Sequence, residues 1–215
     1  KLTHIAYDEM LELAAAGARV MHPRAVEIGE LFGVPIHVRS SFNDRVGTMI
    51  VAQVPMEDRQ RVRGIAQESN VAKITVLGVR DRPGVAAAIF EPLGAAGISV
   101  DVIVQNVGHS GRTDLTFSVQ ESDLKAAEKL VKAAAKTVGA RRVSSAGGIA
   151  KLSIVGTGML GMPGIAGRMF RALSDAGINI EMISTSEIRI TCLVSRDQVD
   201  KGVRILHKTF ELDVE

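Results

Sequence analysis

A chain of 215 residues, 46% of them hydrophobic, is long enough for one or two domains with buried cores. Its 26 basic and 24 acidic side chains are interspersed and aromatics make up only 3%, which argues against a phosphate-tracking surface or a base-stacking platform, so no nucleic-acid partner is expected. One Cys forms no internal disulfide, and no apolar run reaches the roughly 20 residues of a membrane span, so the expectation is a cytoplasmic protein with no membrane partner.

In chain order, Lys1 leads straight into "LTHIAYDEMLELAAAG", already a helical pattern, so the chain reads as a piece of a longer protein. Tyr7–Ala16 has helical spacing, and a second helix is expected from His22-Pro23 to about Phe32. Val34–Val38 and Thr48–Gln53 read as short strands. Together these resemble the tail of an α/β domain. Residues 55–70, which include Arg59, Arg61 and Arg63, read as a solvated linker.

Next comes a complete unit. Lys73–Val79 alternates β-branched and polar residues, as a strand does. Asp81-Arg82-Pro83-Gly84 is turn chemistry, with Pro near a helix start and Asp able to cap. Val85, Ile89, Leu93 and Ala96 recur at helical spacing, and Gly97 stands where a left-handed residue ends a helix. Ile98–Val104 and Thr113–Val119 read as strands flanking the polar hairpin "NVGHSGR". Asp123–Val138 reads as an amphipathic helix and Ala140–Ser144 as a last strand. The order β-α-β-β-α-β is the ferredoxin-like unit, an α+β fold with an antiparallel sheet and both helices on one face.

The unit then repeats. "KITVLGVRDRPGVAAAIFEPLGAAGISVDVI" and "KLSIVGTGMLGMPGIAGRMFRALSDAGINIEMI" align in constant register after a two-residue insertion in the second loop. Pro83-Gly84 meets Pro163-Gly164, Leu93 meets Leu173, Ala96-Gly97-Ile98 meets Ala176-Gly177-Ile178, and Asp101 meets Glu181. The second copy supplies a strand at Lys151–Val155, a helix at Ile165–Ala176, strands at Ile178–Ser184 and Ile188–Val194, and a helix at Gln198–Thr209. The remaining "FELDVE" is short for a closing strand. A strand from 34–53 is the candidate to complete the second sheet, which would nest the first module inside the second.

Residues that could carry chemistry are few. Gly156-Thr157-Gly158-Met159-Leu160-Gly161 matches G-x-G-x-x-G with Glu181 beyond it, but too little chain follows to build a dinucleotide fold, and the sister repeat has no such fingerprint. Cys192 lies in an apolar alternation and reads as a buried strand thiol. His4, His22, His37, His109 and His207 have no metal-ligand spacing, so no metal site is expected. The turn Asp81–Gly84 with Val85-Ala86 could cradle a small zwitterion. Its helix N–H groups suit a carboxylate, and Asp81, Asp101 or the Gln105 carbonyl could accept from an ammonium. From spacing alone an ordinary capped helix explains this turn equally well. Ser184-Thr185-Ser186-Glu187 reads as a polar hairpin.

"YDEMLELAAAGARVMHPRAVEIGELFGVPIHVRSSF…GTMI" resembles the end of the kinase domain of aspartokinases, and the two repeats resemble their tandem ACT domains; "QNV", "TDLTF" and "INIEMISTSEI" are the most specific strings. The resemblance implies a kinase-domain tail at 1–54, a linker at 55–70, and ACT domains at 71–147 and 148–215. It implies feedback control of a lysine- and threonine-pathway enzyme that phosphorylates aspartate with ATP and magnesium. Threonine and lysine are the implied effectors, a homodimer through the ACT domains is the implied assembly, and a catalytic lobe or subunit is the implied partner. Effector contacts are implied at Gly84, Ala86 and Gln105 from one chain, meeting Asn179 and Ile180 from another. Ser186 falls in a motif linked to inhibition. Duplication suggests a second site around Met162, Gly164, Ala166, Ser99 and Val100. The family's Lys-Phe-Gly-Gly-Thr signature and its phosphate cradle are absent, so this chain alone is expected to bind no cofactor, to hold no catalytic residue and to be inactive. The competing readings are an enzyme with an active site in this segment, for which no nucleophile–base–oxyanion spacing is found, and a stand-alone ACT-type sensor of another partner, against which the kinase-like first fifty residues argue.

Overall fold

A computed structural model describes residues 1–54, 61–107, 111–159 and 161–213. In chain order its elements begin with β1 (His4–Ala6), α1 (Tyr7–Ala15), α2 (Pro23–Leu31), β2 (Ile36–Val38) and β3 (Thr48–Val51). There follow β4 (Gly64–Arg80), α3 (Val85–Ala95), β5 (Val100–Val107), β6 (Arg112–Gln120) and α4 (Leu124–Thr137). The last are β7 (Arg142–Val155), α5 (Ile165–Asp175), β8 (Met182–Thr185), β9 (Arg189–Ser195) and α6 (Val199–Thr209). The chain divides into two compact units, Ser69–Ala150 on one hand and Lys1–Glu68 with Lys151–Glu215 on the other.

The Ser69–Ala150 unit is the first repeat. Its strand order is β5-β6-β4-β7, with β5–β6 and β4–β6 antiparallel, the ferredoxin-like arrangement. Ile74 and Val76 of β4 share one core with Leu115 and Phe117 of β6, Ile89 and Leu93 of α3, and Ala127 and Val131 of α4, so both helices cover the same face. Period-two alternation on the strands and 3.6-residue spacing on the helices send these side chains inward. Phe117 meets Phe90 edge to face, centroids 5.0 Å apart. On the wet side of α4, Lys132 pairs with Glu128 at 2.8 Å and its hydrogen bond lowers the Glu128 carboxyl below the usual carboxylate range.

Helix α3 ends as its sequence dictates. Gly97 takes φ 71°, Ile98 N–H reaches Leu93 O at 3.0 Å and Gly97 N–H reaches Gly94 O at 3.0 Å, a Schellman motif. The second repeat reproduces it at Gly177 and Ile178, with bonds of 2.9 Å to Ser174 and Leu173.

The second repeat, in the other unit, has strand order β4-β7-β9-β8, the same arrangement. Its closing strand does not come from 34–53 as expected. It is the start of β4, Gly64–Glu68, within the segment expected to be linker; residues 55–60 lie outside the described set. Glu68 binds Lys151 Nζ at 2.7 Å in that pairing. The nesting arises because β4, at 17 residues, and β7, at 14, are each long enough to contribute to both repeats. Ala140–Ser144 and Lys151–Val155, expected as separate strands, are parts of the single strand β7.

The strands expected from 34–53 instead form their own small sheet. Its order is β1-β3-β2, with β1 parallel and β2 antiparallel to β3. Strand β1 was not expected, since three residues before a helix carry too little period-two signal. Helix α1 lays Tyr7, Met10 and Leu13, and its C-cap Ala16, into a core with Ile5, Val26, Ile50, Ala66 of β4 and Val155 of β7. The tail is thus seated on the second repeat.

Candidate functional site

Both repeats carry the same turn and helix start. The N-cap of α3 is Gly84 at φ 89°, and that of α5 is Gly164 at φ 94°. Left-handed backbone costs a side chain about 1–2 kcal/mol, which explains Gly at both positions. Neither cap offers a side-chain acceptor. The expected capping by Asp81 is therefore corrected: Asp81 is exposed and its backbone N–H bonds Gly111 O at 3.0 Å. Ala88 and Arg168 make the first bonds back to Gly84 and Gly164. Preceding N–H groups of each first turn lie ahead of that ladder, where a carboxylate can meet them.

In the first repeat, Asp81, Gly84, Ala86 and Gln105 are exposed and lie toward the same end of the sheet, because Arg80 pairs with Arg112 and Val107 with Thr113. Asp101 is also exposed, on the same strand as Gln105, but four residues earlier, roughly 13 Å nearer the opposite end. Ser99 and Val100 lie at that opposite end, where Val100 pairs with Val119. In the second repeat, Met162 and Gly164 are exposed and Ala166 half-buried at the turn end. Asn179 and Ile180, the repeat equivalents of Ser99 and Val100, precede β8, while Ser186 follows it and donates its N–H to Arg189 O at 2.8 Å in the hairpin. Each unit thus presents a turn end and a strand-start end as separate surfaces. Among the described residues no group of His, Cys, Asp and Glu is placed to hold a metal ion. His22 caps α2, its Nδ1 accepting from Arg24 N–H at 3.2 Å.

One polar cluster was not anticipated. Glu9 of α1 is 1% exposed, and its Oε1 accepts from both Thr157 N–H at 2.8 Å and Thr157 Oγ1 at 2.7 Å. Oε2 accepts from Ala6 N–H at 3.3 Å and lies 3.5 Å from Arg63 Nε. Arg63, 5% exposed, also donates to His4 O and is no part of a solvated linker. In sequence, Glu9 looks like any acid in a first helical turn, and Arg63 sat in an apparent basic run. A cleft of about 650 Å3 opens beside this cluster, lined by Tyr7, Asp8, Glu30, Gln53, Thr157 and Gly158 among others.

ACT domain models match residues 73–136 and 152–210, the two repeats. The ligand-free regulatory subunit of aspartate kinase from Thermus thermophilus is 33% identical at TM-score 0.64, and this chain covers 99% of it with 70% of its own length. The chain belongs to the aspartokinase family. An aspartate kinase of Pseudomonas fluorescens is 44% identical over 99% of this chain, which spans about half (52%) of that relative. The aspartate kinase of Clostridium acetobutylicum superposes at TM-score 0.87 and 25% identity over 98% of this chain and 49% of its own. Within the aspartokinase framework, the repeats are its tandem ACT domains.

Proposed function

We propose that this chain is the amino-acid-sensing part of an enzyme that phosphorylates aspartate with ATP, and that it lowers that activity when threonine or lysine binds. The observation that carries the reading is the duplicated helix start at Gly84 and Gly164, where no side chain caps the first turn and a Cβ would meet nothing within 4 Å. The similarity to an aspartate kinase regulatory subunit supports it. An α-amino acid would set its carboxylate on the first-turn N–H groups and its ammonium near the Gln105 carbonyl or Asp81. The strand-start residues Asn179 and Ile180 would come from a second protomer, because the turn end and the strand-start end are separate surfaces of each repeat. That makes the reading one of a homodimer. Met162, Gly164 and Ala166 would meet Ser99 and Val100 in the same way. ATP and magnesium would be handled by the part of the enzyme this chain does not span, and the assembly would work in the cytoplasm.

Isothermal titration of the chain with threonine and with lysine at millimolar concentration tests this. Heat and a raised melting temperature with at least one are expected. No heat and no shift with either ends the reading.

A further inference from the structure

Building on the sensing reading, we propose that Glu9 is a positioning residue that ties the second repeat's strand-to-helix turn to the first turn of α1, so that the turn and the kinase-like tail open together. The link breaks the internal symmetry of the chain. Gly156-Thr157 stands in the register of Gly78-Val79. In the first repeat Val79 continues β4, pairs with Thr113 and is fully buried in the core. In the second the strand stops at Val155, and Thr157 starts a short 3-10 turn reaching Met159. The two-residue insertion follows at once. The second copy thus departs from the first at the point where it meets the tail.

The chemistry makes the link all-or-none. One oxygen, Oε1, accepts both Thr157 donors, and Glu9 is itself only 1% exposed. Moving Thr157 by an ångström or two removes both at once and leaves a buried carboxylate short of donors. Glu9 answers by following the turn, and it sits three residues into α1, where its other oxygen holds Ala6 N–H. On its far side the same turn runs through Gly161 and Met162 to Gly164, the proposed carboxylate cradle of α5. The adjoining cleft, lined by Tyr7, Asp8, Thr157 and Gly158, gives the turn room to swing. An amino acid bound at Gly164 therefore acts on the tail through Thr157 and Glu9.

Hydrogen exchange of the 215-residue chain tests the link directly, read at the amides of positions 6 and 157. Thr157→Val removes the hydroxyl and keeps the N–H. It is expected to speed exchange at both positions at least fivefold, while the Leu206 amide of α6 is unaffected. Thr157→Ser is expected to restore both rates, and Glu9→Gln to reproduce the acceleration; if that variant does not fold, the Thr157 pair still decides. Faster exchange at position 157 with an unchanged rate at Ala6 overturns the proposal. In a second arm, whichever amino acid gives heat in calorimetry should change Ala6 exchange in the unaltered chain and not in Thr157→Val; an equal change in both also overturns it. If neither amino acid binds, the sensing reading fails on its own, and the first arm still decides the link.

Discussion

Ser153 Oγ and Thr191 Oγ1 lie 2.8 Å apart across β7 and β9, and the repeat-equivalent Thr75 and Thr116 lie 3.0 Å apart across β4 and β6. The pair has survived duplication, but its surroundings differ: Ser153 and Thr191 are 1% and 2% exposed, whereas Thr75 and Thr116 are half-buried. A buried hydroxyl facing a methyl costs about 1–3 kcal/mol, while removing both hydroxyls is nearly neutral. Thr191→Val should therefore lower unfolding free energy in urea by about 1–3 kcal/mol. Ser153→Ala added to it should recover most of that loss. Thr116→Val should cost less, because water can reach Thr75.

How much of this was legible follows from where the information lies. The ferredoxin-like order, both helix faces and the Gly97 and Gly177 stops are local, written in period and turn chemistry, and the duplication gave each a second reading. The seating of Gly64–Glu68 as the second sheet's closing strand is not local. "GIAQE" has no strong alternation, and its partner Lys151 is over eighty residues away. Of the candidate site, the glycine caps were visible in the repeat. The separation of Asp101 from Asp81 needed strand register. Glu9 and Arg63 were invisible, because a buried ion pair between distant segments leaves no spacing to read.

Nesting predicts that the two repeats differ in independence. A fragment of Ser69–Ala150 contains four strands, both helices and the whole Phe117 core, and is expected to unfold cooperatively in urea with native-like circular dichroism. A fragment of 148–215 lacks Gly64–Glu68 and leaves the β7 edge unpaired. It is expected to aggregate or to show no cooperative transition. Adding residues 61–68 as a separate peptide should restore order, measured as new protected amides. A stable, monomeric 148–215 fragment would contradict the strand assignment.

Gly84 and Gly164 invite a comparison of stability with binding. A Cβ built on either meets nothing within 4 Å, so replacement by Ala is a backbone cost alone. Gly84→Ala and Gly164→Ala are each expected to lower stability by about 1–2 kcal/mol. On the sensing reading each should also weaken amino-acid binding in calorimetry, since relaxing out of the left-handed region turns the first N–H groups away. If stability falls while affinity stays within twofold, the turn is a plain helix start and the ligand lies elsewhere.

Cys192 is fully buried on β9, and burial pushes its thiol up to about 12. The nucleophile is the thiolate, so the native chain is expected to resist a disulfide reagent at pH 8 and to take up one equivalent only after unfolding. The sign of the linkage follows. The thiol's pKa is raised on folding, so its contribution to stability is complete below the unfolded value of about 9 and is lost as pH rises toward 12. Urea midpoints measured from pH 8 to 11 should fall for the unaltered chain. In Cys192→Ala the part of that fall which sets in above pH 9 should be smaller. Identical pH profiles for the two would mean that the thiol ionises as freely in the folded chain as in the unfolded one. Prompt labelling of the native protein would say the same by a second route, and would place β9 within reach of solvent.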